Sequence, residues 1–468
     1  MSNHSKSKIA FRTIAALAIL AAVVATGPAQ AAATSTVGNC RIGAYRLQDG
    51  GVVDIGPSNG SALRWRQWSG ETGALSPAHD DVWPSTRGWT DQPDGHAVSF
   101  AACSTGNLVF DKTPAHRIDF DITDANFVSR GTTLAGRLVL PKGSAAVPVV
   151  VLIHGSENYS GRDLYSLQRL LPAEGVGVFV YDKRGTGRSG GEYTQNFNVL
   201  ADDAVAAMAE ARRLAGARAG RMGFEGGSQG GWIAPLAASQ THADFSISSF
   251  GLLVTPLEED REEIVLQMNL KHHEPNEIAK ALEIADAAGV LVTNNFTKGY
   301  ARFDALRAEY KNAPWYKDLD GNFTGTLLPL SQAEMQARAK ELNPDVSWHY
   351  DGMAVQQKLG IPQLWVQATD DLDAPSAETN RKLKMLQSRG EPITIVMFPH
   401  SQHGIYEYET KPDGTRANTR NPDGYFAMLR DFALGRLNAT YGDSTVSPEM
   451  TRAQAMSSVD WWLVPRWL

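Results

Sequence analysis

The sequence predicts an α/β fold, a mostly parallel sheet with helices on both faces, and three observations carry that expectation. After Pro148, short continuous apolar runs alternate with segments of helical period. A Gly-Gly-Ser-Gln-Gly pentapeptide, 226–230, stands where one such run gives way to a helix-like stretch. Acids and histidines then cluster directly after the last two runs, where a parallel sheet would carry loops at one edge.

The chain has 468 residues, 43% of them hydrophobic, enough to bury a full core and to carry an accessory module. Residues 1–31 read as a secretory signal peptide: Lys6, Lys8 and Arg12 precede an apolar run, and Ala29-Gln30-Ala31 fits a small-residue cleavage site. The run is too short for a stable membrane anchor, so a secreted or periplasmic protein is expected. Removing the three basic residues takes the net charge from −7 to −10, which argues against nucleic acid as a partner. Cys40 and Cys103 lie beyond the cut and are expected to pair as a disulfide in an oxidising compartment. From 32 to 114, Gly- and Trp-rich stretches with short alternating runs predict a small β module.

The remainder, 115–468, is expected to form the main domain. Residues 118–122 and 134–140 flank the turn Ser129-Arg130-Gly131 and predict an antiparallel hairpin. The apolar runs 149–153, 176–181, 221–224, 245–253, 363–367 and 393–398 predict the parallel strands. Between the second and third, Leu200, Ala204, Met208, Ala211 and Leu214 repeat at helical spacing, and Gly216 stops the helix. About 256–360 interrupts this rhythm with charged, helix-favouring segments and no buried run, as expected of a helical lid inserted over the sheet's edge. A separately folding domain is the weaker alternative, because it would orphan the last two strands.

Gly-x-Ser-x-Gly occurs three times, at Ser58, Ser189 and Ser228, so the pattern alone decides nothing. A nucleophile needs a sharp strand-to-helix bend, which only Ser228 has. Ser58 sits beside Pro57 in a turn, and Ser189 lies in a Gly-rich loop. That loop also matches Gly-x-Gly-x-x-Gly at 185–190, yet no helix opens there and no acid ends the next strand, so neither a nucleotide nor another cofactor is expected.

A serine hydroxyl needs a general base, and the base needs a carboxylate to hold it. Asp370, Asp371 and Asp373 compete for the acid. Asp371 is favoured because it stands past the strand with Pro375 bracing the loop, while Asp370 would cap and Asp373 would be solvated. His403 is favoured as base over His400, because Gly404 lets the backbone turn the ring towards Ser228, whereas His400 would be packed. The His-x-x-His spacing lacks a third ligand, so no metal is expected. The amides of Gln229 and Ser156 are the expected oxyanion donors, with His154 structural.

With His154-Gly155, the stretch Tyr181-Asp182-Lys183-Arg184-Gly185-Thr186-Gly187-Arg188-Ser189, Gly226 to Gly230, Asp371 with Pro375, and His403-Gly404, the chain resembles bacterial α/β-hydrolases of the esterase, lysophospholipase and serine aminopeptidase-like group. The likeness covers about 118–437 and departs at Ala368, where that family usually has Gly. It implies the α/β-hydrolase fold, a Ser-His-Asp triad, and hydrolysis of small-molecule carboxylic esters as the commonest activity. It also implies that the Asp-Lys-Arg-Gly loop is structural, with Asp182 and Arg184 bracing it. A peptidase or thioesterase with the same triad is the alternative. The peptidase predicts an acidic or aromatic pocket in the insertion, for which Asp260, Glu262 and Glu263 qualify by sign, although a solvated helix face is the plainer reading. A non-catalytic binding protein would not need the triad, and epoxide hydrolase or dehalogenase chemistry would want an acid at 228. The β module and the tail Trp461-Trp462-Leu463-Val464 fall outside the likeness, and both are expected to pack on the main domain. Nothing in the sequence sets the oligomeric state.

Overall fold

A computed structural model describes residues 39–58, 62–78 and 81–448. The expected signal peptide and the Trp461–Val464 tail lie outside the described residues. Among those described, no helix is long and apolar enough to cross a membrane.

Eight antiparallel strands close a barrel: β1 Gly43–Leu47, β2 Val52–Pro57, β3 Leu63–Gln67, β4 Thr72–Leu75, β5 Val82–Arg87, β6 Pro93–Phe100, β7 Asn107–Phe110 and β8 Thr113–Arg117. The last runs three residues beyond Pro114. Side chains alternate across each strand, so one set fills the interior around Trp65, whose indole N–H is satisfied by Ser85 Oγ at 2.7 Å. Cys40 and Cys103 form the expected disulfide beside it. On the outside, Asp54 is fully buried against the main domain and accepts two hydrogen bonds from the Arg169 guanidinium.

Among the described residues, the main sheet has nine strands. β9 Phe120–Ser129 and β10 Thr132–Pro141 form the hairpin, longer than the runs suggested. The order continues through β12 Gly177–Tyr181, β11 Val147–Ile153, β13 Ala219–Gly227, β14 Phe245–Ser249, β15 Gln363–Ala368 and β16 Ile393–Phe398, and the short β20 Thr445–Ser447 closes the edge. From β12 to β16 every pairing is parallel. The 245–253 run is a strand only as far as Ser249. Phe250 takes a φ of 41° and turns the chain out of the sheet, its ring lying edge-on to His403 with centroids 5.0 Å apart.

Helix α1 Leu167–Ala173 and α9 Tyr425–Ala433 pack on one face of the sheet, and α2 Phe197–Ala215 with α3 Gly230–Gln240 on the other. Asn196 caps α2 through the Val199 amide, worth about 1 kcal/mol, and Gly216 ends it. Between β14 and β15 the chain runs through α4 Pro256–Leu270, α5 Pro275–Thr293, α6 Tyr300–Tyr310, shorter helices and α7 Gly352–Leu359. This insertion has an apolar cluster of its own, around Ile264, Ile284 and Phe303. The sheet nonetheless continues across it, with Ser246 paired to Gln363. Helix α8 Ser376–Ser388 then leads to β16.

A three-stranded sheet follows: β17 Ser401–Gln402, β18 Tyr406–Thr410 and β19 Arg416–Arg420. The barrel grips it directly. The Trp89 amide donates to Asn418 O at 2.8 Å, and the Asn421 amide to Gly70 O at 3.0 Å. Gly70, at φ 102°, admits no side chain, since a Cβ would sit 2.1 Å from Asn421 O.

Candidate active site

Parallel register decides which loops meet. Ile153 pairs with Gly226, Gly227 with Ser249, and Ala368 with Phe398, so the turns after β11, β13, β15 and β16 open at one edge of the sheet. These turns carry Ser156, Ser228, Asp371 and His403 respectively.

Ser228 sits at the bend between β13 and α3 with a φ of 53°, a left-handed conformation that a non-glycine residue adopts only when its surroundings impose it. Its amide donates to Ser249 O at 3.0 Å, and its carbonyl accepts from the Gly231 amide at 2.8 Å. Gly226 permits the bend, because a Cβ there would lie 2.2 Å from Gly230 O. Ser189 has another role: its hydroxyl donates to Asp182 O and accepts from the Ala135 amide. Ser58 closes a barrel turn, its amide donating to Ala62 O.

His403 Nε2 lies 3.0 Å from Ser228 Oγ, and its Nδ1 lies 3.0 Å from Asp371 Oδ2. Asp371 is buried and is held in turn by the amides of Asp373 and Ala374, at 3.0 and 2.8 Å. None of the three competing residues makes either contact, and all three differ from expectation. Asp370 does not cap a helix. Its carboxylate accepts from Tyr408 Oη and Thr369 Oγ1. His400 is exposed rather than packed, in a left-handed turn at φ 52°. Asp373 is half-buried beside His403 rather than solvated, and burial raises its carboxyl above the usual range.

Electrostatics around the imidazole are dominated by carboxylates. Burial works against its protonation, but the charge and hydrogen bond of Asp371 outweigh that, Asp373 and Glu259 add to them, and its pKa rises to about 9. A general base acts only when unprotonated, so with His403 in that role kcat/KM should be low at pH 7 and climb with pH towards that value. Asp373→Asn removes one of the carboxylates and should shift the rise to lower pH, with more activity at neutrality. An unshifted profile would show that Asp373 does not act on His403.

The loop after β11 faces Ser228 closely: a Cβ on Gly155 would stand 3.5 Å from Ser228 Cβ. Among the described residues, the Gln229 and Ser156 amides donate to no other group of the protein, and both residues line a small cavity together with Ser228. Two carbonyls of the loop are held from behind. Lys183 Nζ donates to Gly155 O at 2.7 Å, and Tyr193 Oη donates to Ser156 O. A trans peptide sets its N–H opposite its carbonyl, so the Ser156 amide faces away from Lys183. His154 is buried, with Nε2 2.6 Å from Tyr181 O. The Asp182–Ser189 loop is braced as expected: Asp182 accepts from Ser160 Oγ and the Arg162 and Arg188 amides, and Arg184 pairs with buried Asp203.

The far wall of the cavity comes from the insertion, through Pro256, Glu259, Asn322, Phe323, Val346 and Trp348. The acids expected to form a solvated helix face are largely buried. Asp260 accepts from the Phe323 and Thr324 amides and from Thr324 Oγ1, a structural role. Glu263 is buried without an ion-pair partner among the described residues, and burial pushes its carboxyl well up. Glu262, half-buried, is raised to about 7. Glu259 reaches the cavity itself, and burial raises it to about 8. Sequence reasoning passed over Glu259, and the only available signal was its place one turn into a helix predicted to cover the site. Among the described residues, no cluster of three or more His, Cys, Asp or Glu side chains could hold a metal.

A family model described as serine aminopeptidase, S33, matches residues 144–411, more than half of the chain. Among solved structures, an esterase of Pyrococcus furiosus is 13% identical, with 61% of this chain and 84% of that one covered and a TM-score of 0.38. The acylaminoacyl peptidase of Pyrococcus horikoshii is 14% identical over 75% of this chain and 52% of that one, with a TM-score of 0.36. Est1E of Butyrivibrio proteoclasticus, with ferulic acid bound, is 15% identical over 66% and 96%, with a TM-score of 0.37. Among curated proteins, none matches.

Proposed function

Because the chain belongs to the serine aminopeptidase, S33 family of α/β-hydrolases, we propose that it is an exported enzyme that cleaves small carboxylic esters through an acyl-enzyme on Ser228. The observation that carries this reading is the continuous contact from Ser228 Oγ to His403 Nε2 and from His403 Nδ1 to Asp371. In the proposed reaction Ser228 Oγ attacks the substrate's carbonyl carbon while His403 takes the hydroxyl proton. Asp371 keeps the proton on Nδ1 and stabilises the imidazolium that forms. The Gln229 and Ser156 amides receive the oxyanion, and one such donor is typically worth about 3 kcal/mol in the transition state. His403 then passes its proton to the departing alcohol. Water repeats the sequence on the acyl-enzyme, releasing the acid and restoring Ser228. In this reading the helical insertion is a lid, since it supplies the cavity's far wall.

A panel of p-nitrophenyl esters and aminoacyl anilides tests the proposal, with a serine-directed phosphonate as label. Esters are expected to turn over, the phosphonate to modify Ser228, and Ser228→Ala to lose both properties. A protein that cleaves anilides well and esters poorly would overturn the ester reading.

The peptidase reading has one specific observation in its favour, the Glu259 carboxyl in the cavity wall, placed where a substrate ammonium could meet it. On that reading Glu259→Gln should raise KM for aminoacyl anilides by about 10-fold or more, the worth of one hydrogen bond to a charged group, and leave KM for neutral esters unchanged. Equal effects on both substrates would remove the support.

A further inference from the structure

We propose that Lys183 is a positioning residue of the oxyanion hole: through the Gly155 carbonyl, its ammonium aims and polarises the Ser156 amide towards the substrate oxygen. The inference rests on the hydrolase reading, in which the Ser156 amide receives the oxyanion.

Lys183 stands just past the end of β12 and is 2% exposed. Its one hydrogen-bond acceptor among the described residues is Gly155 O, at 2.7 Å, and its Nζ lies 4.6 Å from the centre of the Tyr193 ring. The opposite charge that faces it is Glu157, itself tied to the same loop through the Gly155 amide and Tyr165 Oη. Burial lowers the ammonium to about 8, which leaves it charged at neutral pH.

Holding a loop does not require a buried charge. The next carbonyl, Ser156 O, is held by the neutral hydroxyl of Tyr193, which Gln195 supports at 3.0 Å. A buried ammonium costs desolvation that a hydroxyl or amide largely avoids. What the charge adds is electrostatic. A cation at the oxygen end of a peptide draws density from its nitrogen and makes the N–H at the other end a stronger donor. The same charge lies one peptide unit behind the developing oxyanion, in a site of low polarisability, so it favours the transition state over the neutral ester. An effect confined to the transition state lowers kcat and spares KM when lost.

The experiment is steady-state hydrolysis of p-nitrophenyl butyrate by the native protein, Lys183→Gln, Lys183→Ala and Tyr193→Phe, with thermal unfolding of each. Lys183→Gln keeps a donor of similar shape without the charge, and it is expected to lose roughly 10- to 100-fold in kcat, with KM within about twofold. Tyr193→Phe, which removes a neutral anchor, is expected to lose only a few-fold. In Lys183→Ala, ethylammonium should restore part of kcat and ethanol should not. A Lys183→Gln protein with native kcat overturns the inference, and so does equal rescue by ethanol. If Lys183→Gln fails to fold, the contrast between ethylammonium and ethanol in Lys183→Ala decides. Native protein that leaves both the ester and the phosphonate untouched overturns the hydrolase reading instead, and this proposal with it.

Discussion

His403→Ala is expected to lower kcat/KM for a p-nitrophenyl ester by on the order of 10⁵- to 10⁶-fold, while His400→Ala stays within about twofold of the native protein. Both histidines lie within five residues of the end of β16, on either side of β17, yet only His403 reaches the serine, at 3.0 Å, and the buried carboxylate, at 3.0 Å. Without the imidazole, Ser228 must give up a proton to water, and the hydroxyl is a weak nucleophile at neutral pH. Asp371→Asn should cost about 10⁴-fold with little change in KM, because the amide would favour the wrong imidazole tautomer. Asp370→Asn should be nearly silent, since its partners are Tyr408 and Thr369. Measured kcat/KM for the four variants separates the assignments. Activity lost in His400→Ala and retained in His403→Ala would put the base in the wrong place.

Asp54→Ala is expected to cost about 3–5 kcal/mol of stability, the largest single effect outside the proposed triad. The carboxylate is fully buried where the barrel meets α1 and takes two hydrogen bonds from Arg169, with Arg66 Nη1 4.0 Å away. Its removal leaves two guanidinium groups with no carboxylate between them. The double variant Asp54→Leu with Arg169→Met should recover much of the loss, because the cost lies in the unpaired charge rather than in the missing pair. Urea unfolding followed by tryptophan fluorescence measures this, and Asp54→Ala with native stability would refute it. Activity should be lost early in the same titration, because the barrel also grips the β18–β19 hairpin that follows His403.

How much of this was legible in the sequence differs by kind of residue. Most of the apolar runs, and the helix read over 199–214 with Gly216 as its stop, follow from short-range periodicity, and they appear at nearly those bounds, the helix at Phe197–Ala215. The run 245–253 misleads because hydrophobicity does not report direction. Phe250 is apolar for contact with His403 and Gly227, not for strand pairing. Charged residues mislead most. In the run 258–263, Glu258 closes a capping box, Asp260 caps the turn at Phe323, and Glu259 faces the cavity. The three were indistinguishable as letters, because the insertion surrounds α4 on more than one side and helical period then no longer predicts exposure.

By itself the sequence determined the α/β class, where most strands lie along the chain and the one serine placed at a strand-to-helix bend, since each depends on residues within a few positions of one another. Only the tertiary structure decided which acid and which histidine meet that serine, and that Glu259 and Lys183 line or support its cavity. Those outcomes depend on the register of distant strands and on a left-handed turn at His400. The burial of a polar side chain is likewise set by segments far away along the chain, which no local pattern records.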